Sequence, residues 1–448
     1  MSDLRSALER AAQSFEPTTD WLHGSLERSR RRTRARRLTA GAVGLAVSAA
    51  SIVIVVSTLW TDSQPGPSGS AALRGGVSCD RTWGEVAIDE PTPGGFLSVS
   101  ASGPNDVWAV GPDEAAPLGS HTIIHHWDGA AWQRVPSPDG ATGARAVNAL
   151  NDVFALAPDQ AWVVGESVES PGWGTKPSRV LVEHWDGATW SIVPAPSPFS
   201  GENQLNGVSG TAPNDMWAVG FALDEEDTAA TTLAMHWDGA EWSIDPTEDL
   251  RGGGSGASFQ AVEAISADDV WAVGSQPSGA LIAHWDGASW TVVKVPHRSD
   301  HAILTDLDAR APDDIWAVGW GSEDDSMGSV PVIEHFDGSV WSFVELPAGP
   351  NPDIIPLAVT AVAPDDVWVA GWMGRTEIEE GTQQIGPMLL HWEGEEWRYV
   401  DVPVAGSGMF LDISEGYPSA WLVGRAGGTY DDNGYLSGDR PLIVAGTC

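Results

Sequence analysis

The sequence predicts an all-β fold: a seven-bladed β-propeller of four-stranded antiparallel blades, preceded by one transmembrane helix. Three observations predict it. Trp supplies 24 of the 448 residues, against 4 Tyr and 9 Phe, and an excess of that kind signals a repeated motif. A short motif built on one of those Trp residues returns seven times. Gly and Pro, 51 and 31 residues, call for many turns and few long helices.

The chain opens with a basic tail. Residues 1–37 carry nine Arg and five acids, a net of +4, whereas the remainder carries 14 basic and 57 acidic groups, a net of −43. Asymmetry of this kind suggests two compartments. Leu4, Ala7, Leu8, Ala11 and Phe15 fall on one helical face, and Pro17 stops the run. The tail is a candidate docking site for a cytoplasmic partner. It resembles the tails of actinobacterial membrane proteins, anti-sigma factors included, but lacks their zinc motif, since His23 is its one His and it has no Cys.

Residues 38–60, LTAGAVGLAVSAASIVIVVSTLW, carry no charge. At about 1.5 Å per residue such a helix crosses a hydrocarbon core of about 30 Å. Seven Arg lie between Arg28 and Arg37, which places the N-terminus in the cytoplasm and the C-terminal domain outside the cell. The run is too long for a typical signal-peptide core, and no A-x-A site follows it. Residues 61–78, TDSQPGPSGSAALRGGVS, form a flexible Pro/Gly/Ser linker.

The propeller is assigned to residues 79–448. The first half of each repeat is D-x-W-A-V-G or a near variant, with marker residues Trp108, Trp162, Trp217, Trp271, Trp316, Trp368 and Trp421. Successive markers lie 54, 55, 54, 45, 52 and 53 residues apart. The run is apolar and bounded by turn residues, as a buried strand is. A second apolar run precedes it, and A-P-D-D or A-P-N-D between them makes a tight turn. The second half is H-W-D-G-x-x-W, in six copies headed by His126, His184, His236, His284, His335 and His391. Its Asp-Gly predicts a two-residue hairpin turn, and its last Trp opens a fourth strand. Four antiparallel strands per period make a propeller blade.

The seventh copy of the second half is split. PLIVAGTC at Pro441–Cys448 aligns with the strand before the hairpin, and Trp83 in CDRTWGEVAI aligns with the Trp after it. The N-terminal segment is therefore expected to supply the outer strand of blade 7 and close the ring. The same alignment puts Cys79 beside Cys448, the only two Cys in the chain. Outside the cell they are expected to form a disulfide.

These repeats resemble a family of bacterial secreted and surface β-propellers with DVWAVG…HWDGxxW repeats, akin to galactose-oxidase/kelch-like and Asp-box propellers. The resemblance covers residues 79–448 and implies the propeller architecture; it implies little about activity. The arginine triad and Tyr nucleophile of sialidases, and the two Tyr and two His of copper-binding kelch oxidases, have no counterpart at repeated positions.

Residues that recur once per blade stand on a circle and cannot converge on one ion, so each repeated His is expected to make a hydrogen bond that fixes its hairpin or its blade neighbour, and the repeated Trp residues to pack between blades. The repeated Asp106, Asp215, Asp269, Asp314 and Asp366 are expected to bond to backbone amides in their turns. Function belongs where the repeat breaks. Between the marker Gly and the next His, 9 to 19 residues intervene, so the face carrying those loops is the candidate recognition face. Its candidate ligand-binding residues are Trp173, Phe221, Trp320, Trp372, Tyr430 and Tyr435, able to stack on a sugar or anchor a protein. Asp224, Asp227, Asp324, Asp325, Asp431 and Asp432 are weak calcium candidates, without EF-hand spacing; no other cofactor is expected.

A net charge of −39 argues against nucleic acid as a partner. The expected function is a membrane-anchored, non-enzymatic module that binds extracellular protein or glycan. Two alternatives stand beside it: a glycan-active hydrolase or lyase with paired carboxylates on the same face, and an envelope sensor signalling through the tail.

Overall fold

The structure, a computed structural model, describes residues 81–448 except 89–93, 114–118, 144, 170–176, 224–229, 248–255, 296–298, 300, 323–328, 348, 350–352, 376–383, 405, 417, 431–435 and 448. The chain divides into two units, Met1–Ser68 and Gly69–Cys448, and every described residue belongs to the second. The expected tail, membrane span and linker lie outside the described residues, as do Cys79 and Cys448. No helix long and apolar enough to cross a membrane occurs among the described residues.

Seven four-stranded antiparallel sheets make up the fold. Blade 3 shows the plan: strands Glu202–Ala212, Asp215–Leu223, Thr231–Trp237 and Trp242–Asp245 pair in chain order. Its second strand is buried nearly throughout, because both faces of the blade meet neighbouring blades. A strand buried on both faces reads as a continuous apolar run, which is why the marker is W-A-V and not an alternating pattern.

The first strand carries a β-bulge in mid-course. In blade 3 the register slips between Leu205 and Gly207, and in blades 2, 4, 5, 6 and 7 it slips at the corresponding place. The bulge pushes first-strand backbone onto the marker glycine. A Cβ on Gly220 would be driven into the carbonyl oxygen of Gln204, and the same collision meets Gly165, Gly274, Gly319, Gly371 and Gly424. The repeated glycine is thus required by close backbone approach.

Adjacent blades interlock through indoles. Each marker Trp meets, edge-on, the fourth-strand Trp of the next blade: Trp108 with Trp190 at 5.1 Å, Trp217 with Trp290 at 5.4 Å, Trp316 with Trp397 at 5.7 Å. The Trp that follows the repeated His packs on the same marker, as Trp185 does on Trp108 at 4.9 Å. Its indole N–H also donates to its own blade's first turn, Trp185 to the Pro158 carbonyl at 3.2 Å. Such aromatic pairs contribute about 0.5–1.5 kcal/mol each beyond the area they bury.

One detail differs from expectation. The D-G loop contains four residues, not two, because Trp237 pairs directly with Trp242. Asp238 caps that loop, its Oδ1 accepting the amides of Ala240 and Glu241 at 2.8 and 3.0 Å, while Gly239 takes φ of 94°. Blade 7 contains strands Gly408–Gly416, Ser419–Tyr430 and Leu436–Thr447, and its fourth strand is Thr82–Glu85. Trp83 stands opposite Gly446 and meets the blade 6 marker Trp368 at 5.2 Å. On the other side, the blade 7 marker Trp421 meets Trp132 of blade 1 at 5.3 Å.

The marker glycine gives a direct test. Gly220→Ala should lower the thermal midpoint by several degrees, the cost of overpacking being roughly 1–3 kcal/mol. Gly84→Ala, whose Cβ would meet nothing within 4 Å, should leave it within about one degree. Equal midpoints for the two variants in a calorimetric scan would contradict the close approach.

Candidate functional site

The repeated polar residues are occupied by the scaffold. In blade 3, His236 Nε2 bonds Asp215 Oδ1 at 2.8 Å, and the ring packs on Trp217 at 4.7 Å. Blades 1, 4, 5 and 6 repeat the arrangement with His126–Asp106, His284–Asp269, His335–Asp314 and His391–Asp366. In blade 2, Gln160 takes the Asp position against His184 at 2.8 Å. The hydrogen bond from His236 holds the Asp215 carboxyl below the usual range. This corrects the expectation that these Asp residues bond backbone amides in their turns. The ladder places each opposite the histidine strand, and the amide-capping task falls to the hairpin residues Asp128, Asp186, Asp238, Asp286 and Asp337. No group of three or more His, Cys, Asp or Glu among the described residues could hold a metal ion.

The first strands of neighbouring blades contact one another and form the inner wall. One first-strand position recurs there, opposite the residue before the marker glycine and, in blades 2 to 7, just after the bulge: Ser98, Asp152, Gly207, Ala261, Asp306, Ala358 and Asp412. Its polar members reach across to the next blade. Asp152 Oδ2 accepts the Val208 amide at 2.7 Å, Asp306 Oδ2 the Val359 amide at 2.8 Å, and Asp412 Oδ2 the Val99 amide at 2.8 Å. Two residues further on, Asp308 Oδ2, Ser100 Oγ and Ser209 Oγ accept amides of Ala361, Ala155 and Ala264 in the same manner.

The three post-bulge carboxyls are buried and interact. Burial pushes Asp152 up to about 6. Burial and then the charge of Asp152 push Asp412 up to about 7. Asp306 rises well above the carboxylate range through burial, then through Asp412 and Asp308. Elsewhere, burial raises Glu183 and Glu334 to about 8 and lowers His125 to about 4. Motif searching misses the acidic trio, because only three of the seven blades carry it. The signal that finds it is register: ten residues before the marker Trp in blades 2 and 5, nine in blade 7.

The predicted recognition residues fare differently. Phe221, Trp320 and Trp372 share one register position, directly after the marker Gly, in blades 3, 5 and 6. They belong to second strands and not to loops: Phe221 pairs with Gln204 and Thr232, Trp320 with Ile303 and Pro331, Trp372 with Ile355 and Pro387. The strands stay paired past the glycine toward the variable loops, so these rings are half-buried at that end of their blades. The Trp320 indole N–H is buried without a partner. Tyr430 ends its strand opposite Leu436. Trp173, Tyr435, Asp224, Asp227, Asp324, Asp325, Asp431 and Asp432 lie outside the described residues.

No family model matches this sequence, and no curated protein matches it. Solved structures match through the propeller. A GH74 xyloglucanase from Xanthomonas campestris superposes with a TM-score of 0.52 at 15% identity, over 77% of this chain and 52% of that one. This chain therefore spans about half the length of that enzyme. YCF48 bound to a D1 peptide gives 0.49 at 13% identity, over 82% of this chain and 97% of that one. The WD40 propeller domain of Doa1 gives 0.43 at 10%, over 81% and 97%. Identities this low speak for the fold alone.

The buried acids set a pH dependence. A carboxyl whose pKa is raised on folding binds more protons folded than unfolded, so stability falls as pH rises from about 4 through the folded value. His125, lowered on folding, acts oppositely, but only between about 4 and 6.5. From pH 6.5 to 8 only the carboxyl effect remains among these groups, and the thermal midpoint should fall. Asp412→Asn keeps an acceptor for Val99 and removes a carboxyl that, raised to about 7, is charged at pH 8, so it should raise the midpoint there by a few degrees and flatten the profile. A midpoint unchanged by the variant at pH 8 would show that the carboxyl carries no charge penalty there.

Proposed function

We infer that this chain is a membrane-anchored extracellular propeller that binds a protein or glycan without catalysis. The observation that carries this is the division of labour among its polar residues. The repeated His, Asp and Trp groups are tied to one another, to turns or to neighbouring blades. Unrepeated residues collect at the end where second strands run on toward loops of unequal length. A rigid ring with variable loops on one face is a scaffold for recognition. The half-buried rings of Phe221, Trp320 and Trp372 stand at that end in three blades and supply its aromatic contact.

The remaining parts follow from the sequence. Residues 38–60 are the anchor, with residues 1–37 in the cytoplasm. Thr82–Glu85 serves as the latch that closes the ring, and Cys79 with Cys448 secures it as a disulfide. The register supports that pairing, since Thr82 stands opposite Thr447, one residue from Cys448 and three from Cys79. Non-reducing peptide mapping of protein taken from intact cells should recover one Cys79–Cys448 peptide. Recovery of both as free thiols would overturn the disulfide and leave the latch to its strand pairing alone.

The recognition face is tested on a glycan array and by surface cross-linking, with Trp320→Ala and Trp372→Ala beside the native chain. Loss of a contact ring should weaken capture roughly tenfold or more while the fold is kept. Capture unaffected by either change would place recognition elsewhere. Steady cleavage of a captured glycan would overturn the non-catalytic assignment.

A further inference from the structure

The third-strand residue just before the repeated His is apolar in blades 3, 4 and 6, as Met235, Ala283 and Leu390, and in blade 7 the same register holds Val444. In blade 2 it is Glu183, opposite Val163 and Ile192. Glu183 is fully buried, and neither of its carboxyl oxygens has a hydrogen-bond partner. Alternation along the strand turns it away from His184 and toward blade 1. Leu181, two residues earlier on the same face, packs there with Val110 and Ile124. A carboxyl left unpaired at that depth is costly.

Facing Glu183 from blade 1 are the Ser137 hydroxyl and the Asp139 carboxylate, on the segment that follows the fourth strand Trp132–Val135. That segment is tied to the start of the third strand His121–Trp127. Ser137 Oγ lies 2.6 Å from Thr122 Oγ1, and Thr122 Oγ1 donates to Asp139 Oδ1 at 3.5 Å. The Thr122 amide donates to the same Oδ1 at 3.2 Å, and His121 Nδ1 pairs with Asp139 Oδ2 at 2.6 Å. His126 also faces this junction but is held by Asp106. Arg134 and Asp113 pair on the other face of blade 1, beside His125.

Two hydroxyls therefore stand between two carboxyls, in the order Glu183, Ser137, Thr122, Asp139. Such a chain has three links, and its hydroxyls supply two hydrogens. The third hydrogen has to come from Glu183. Burial, with Asp139 adding to it, pushes Glu183 up to about 8 and keeps that hydrogen in place through neutrality.

We propose that Glu183, Ser137, Thr122 and Asp139 form a proton-operated clasp between blades 1 and 2. With its proton, Glu183 donates to Ser137, Ser137 to Thr122 and Thr122 to Asp139. Loss of the proton leaves one link without a hydrogen and sets two carboxylates against each other in a buried place, and the clasp loosens. His121 directly follows the variable loop that joins it to Asp113, so the clasp governs how firmly that loop is held. A bearing on recognition rests on the reading of the variable face given above; the clasp itself does not.

The test follows hydrogen exchange at the Thr122 amide, which Asp139 caps, in the full chain in detergent from pH 5 to 9. Each rate is divided by the intrinsic rate at that pH to give the opening constant. A carboxyl raised from 4.5 to about 8 on closing makes that constant climb with pH, by up to about tenfold per unit between about 5 and 8, and level off above. Glu183→Gln keeps the shape and does not ionise, so it should remove most of the climb. Glu334→Gln changes the buried acid at the same register of blade 5 and should climb as the native chain does. Equal thermal midpoints at pH 5 confirm that the variants keep the fold. An opening constant that does not change with pH in the native chain overturns the proposal, as does a climb of equal size in Glu183→Gln. A climb lost equally in Glu334→Gln assigns it to buried acids in general and also overturns the clasp.

Discussion

Everything in this molecule rests on the way one blade wedges against the next. A four-stranded twisted sheet cannot bury its own two faces, and each blade must find cover on both sides. The marker Trp supplies that cover in one direction, held edge-on by the next blade's fourth-strand indole. The His ring covers it from within its own blade, and an Asp or Gln fixes the His. A single side chain is thus shared by a hydrogen-bonded pair, a stacked pair and an interblade contact. The marker glycine belongs to the same device. It lets the bulged first strand lie close against the second.

The inner wall solves a different problem with another set of groups. Near the axis the strands are crowded, and amides of one first strand face the side chains of the previous one. Carboxylates and hydroxyls there act as interblade staples, accepting amides at 2.7–3.1 Å. Each staple brings a negative charge or a dipole into a poorly hydrated place. Where three are aspartates, mutual repulsion adds to the cost of burial. The inner wall therefore staples blades together at five of the seven junctions, at the cost of carboxyls whose pKa values burial raises.

Repetition decided how much of this was visible in the sequence. The marker strand, the His-Trp hairpin and the displaced Trp83 recur often enough that each copy corrects the others. The bulge does not show, because its residue changes from Asn151 to Asn206, Gln260, Thr305, Leu357 and Leu411. What is common is a backbone shape, betrayed only by the glycine it presses on. The His–Asp bonds were hidden for another reason. The partners lie 15 to 25 residues apart, and an Asp beside a turn invites a local explanation. Trp320 and Trp372 looked like loop residues because the glycine before them resembles a strand terminator, whereas the ladder carries on past it.

The split in blade 7 also orders events in time. Thr82–Glu85 pairs with residues 444–447, so among the described strands the first in chain order is completed by the last. Blades 1 to 6 are made of contiguous chain and close only local loops. Blade 7 must bring together segments separated by most of the domain, the kind of contact that forms late and slowly. During synthesis Thr82–Glu85 is an unpaired strand, with Trp83 uncovered, for as long as the rest is being made. A propeller of this design cannot be finished blade by blade from the ribosome. Its last join waits for the whole chain, and an interrupted chain is left with an open strand edge that invites pairing with a neighbour.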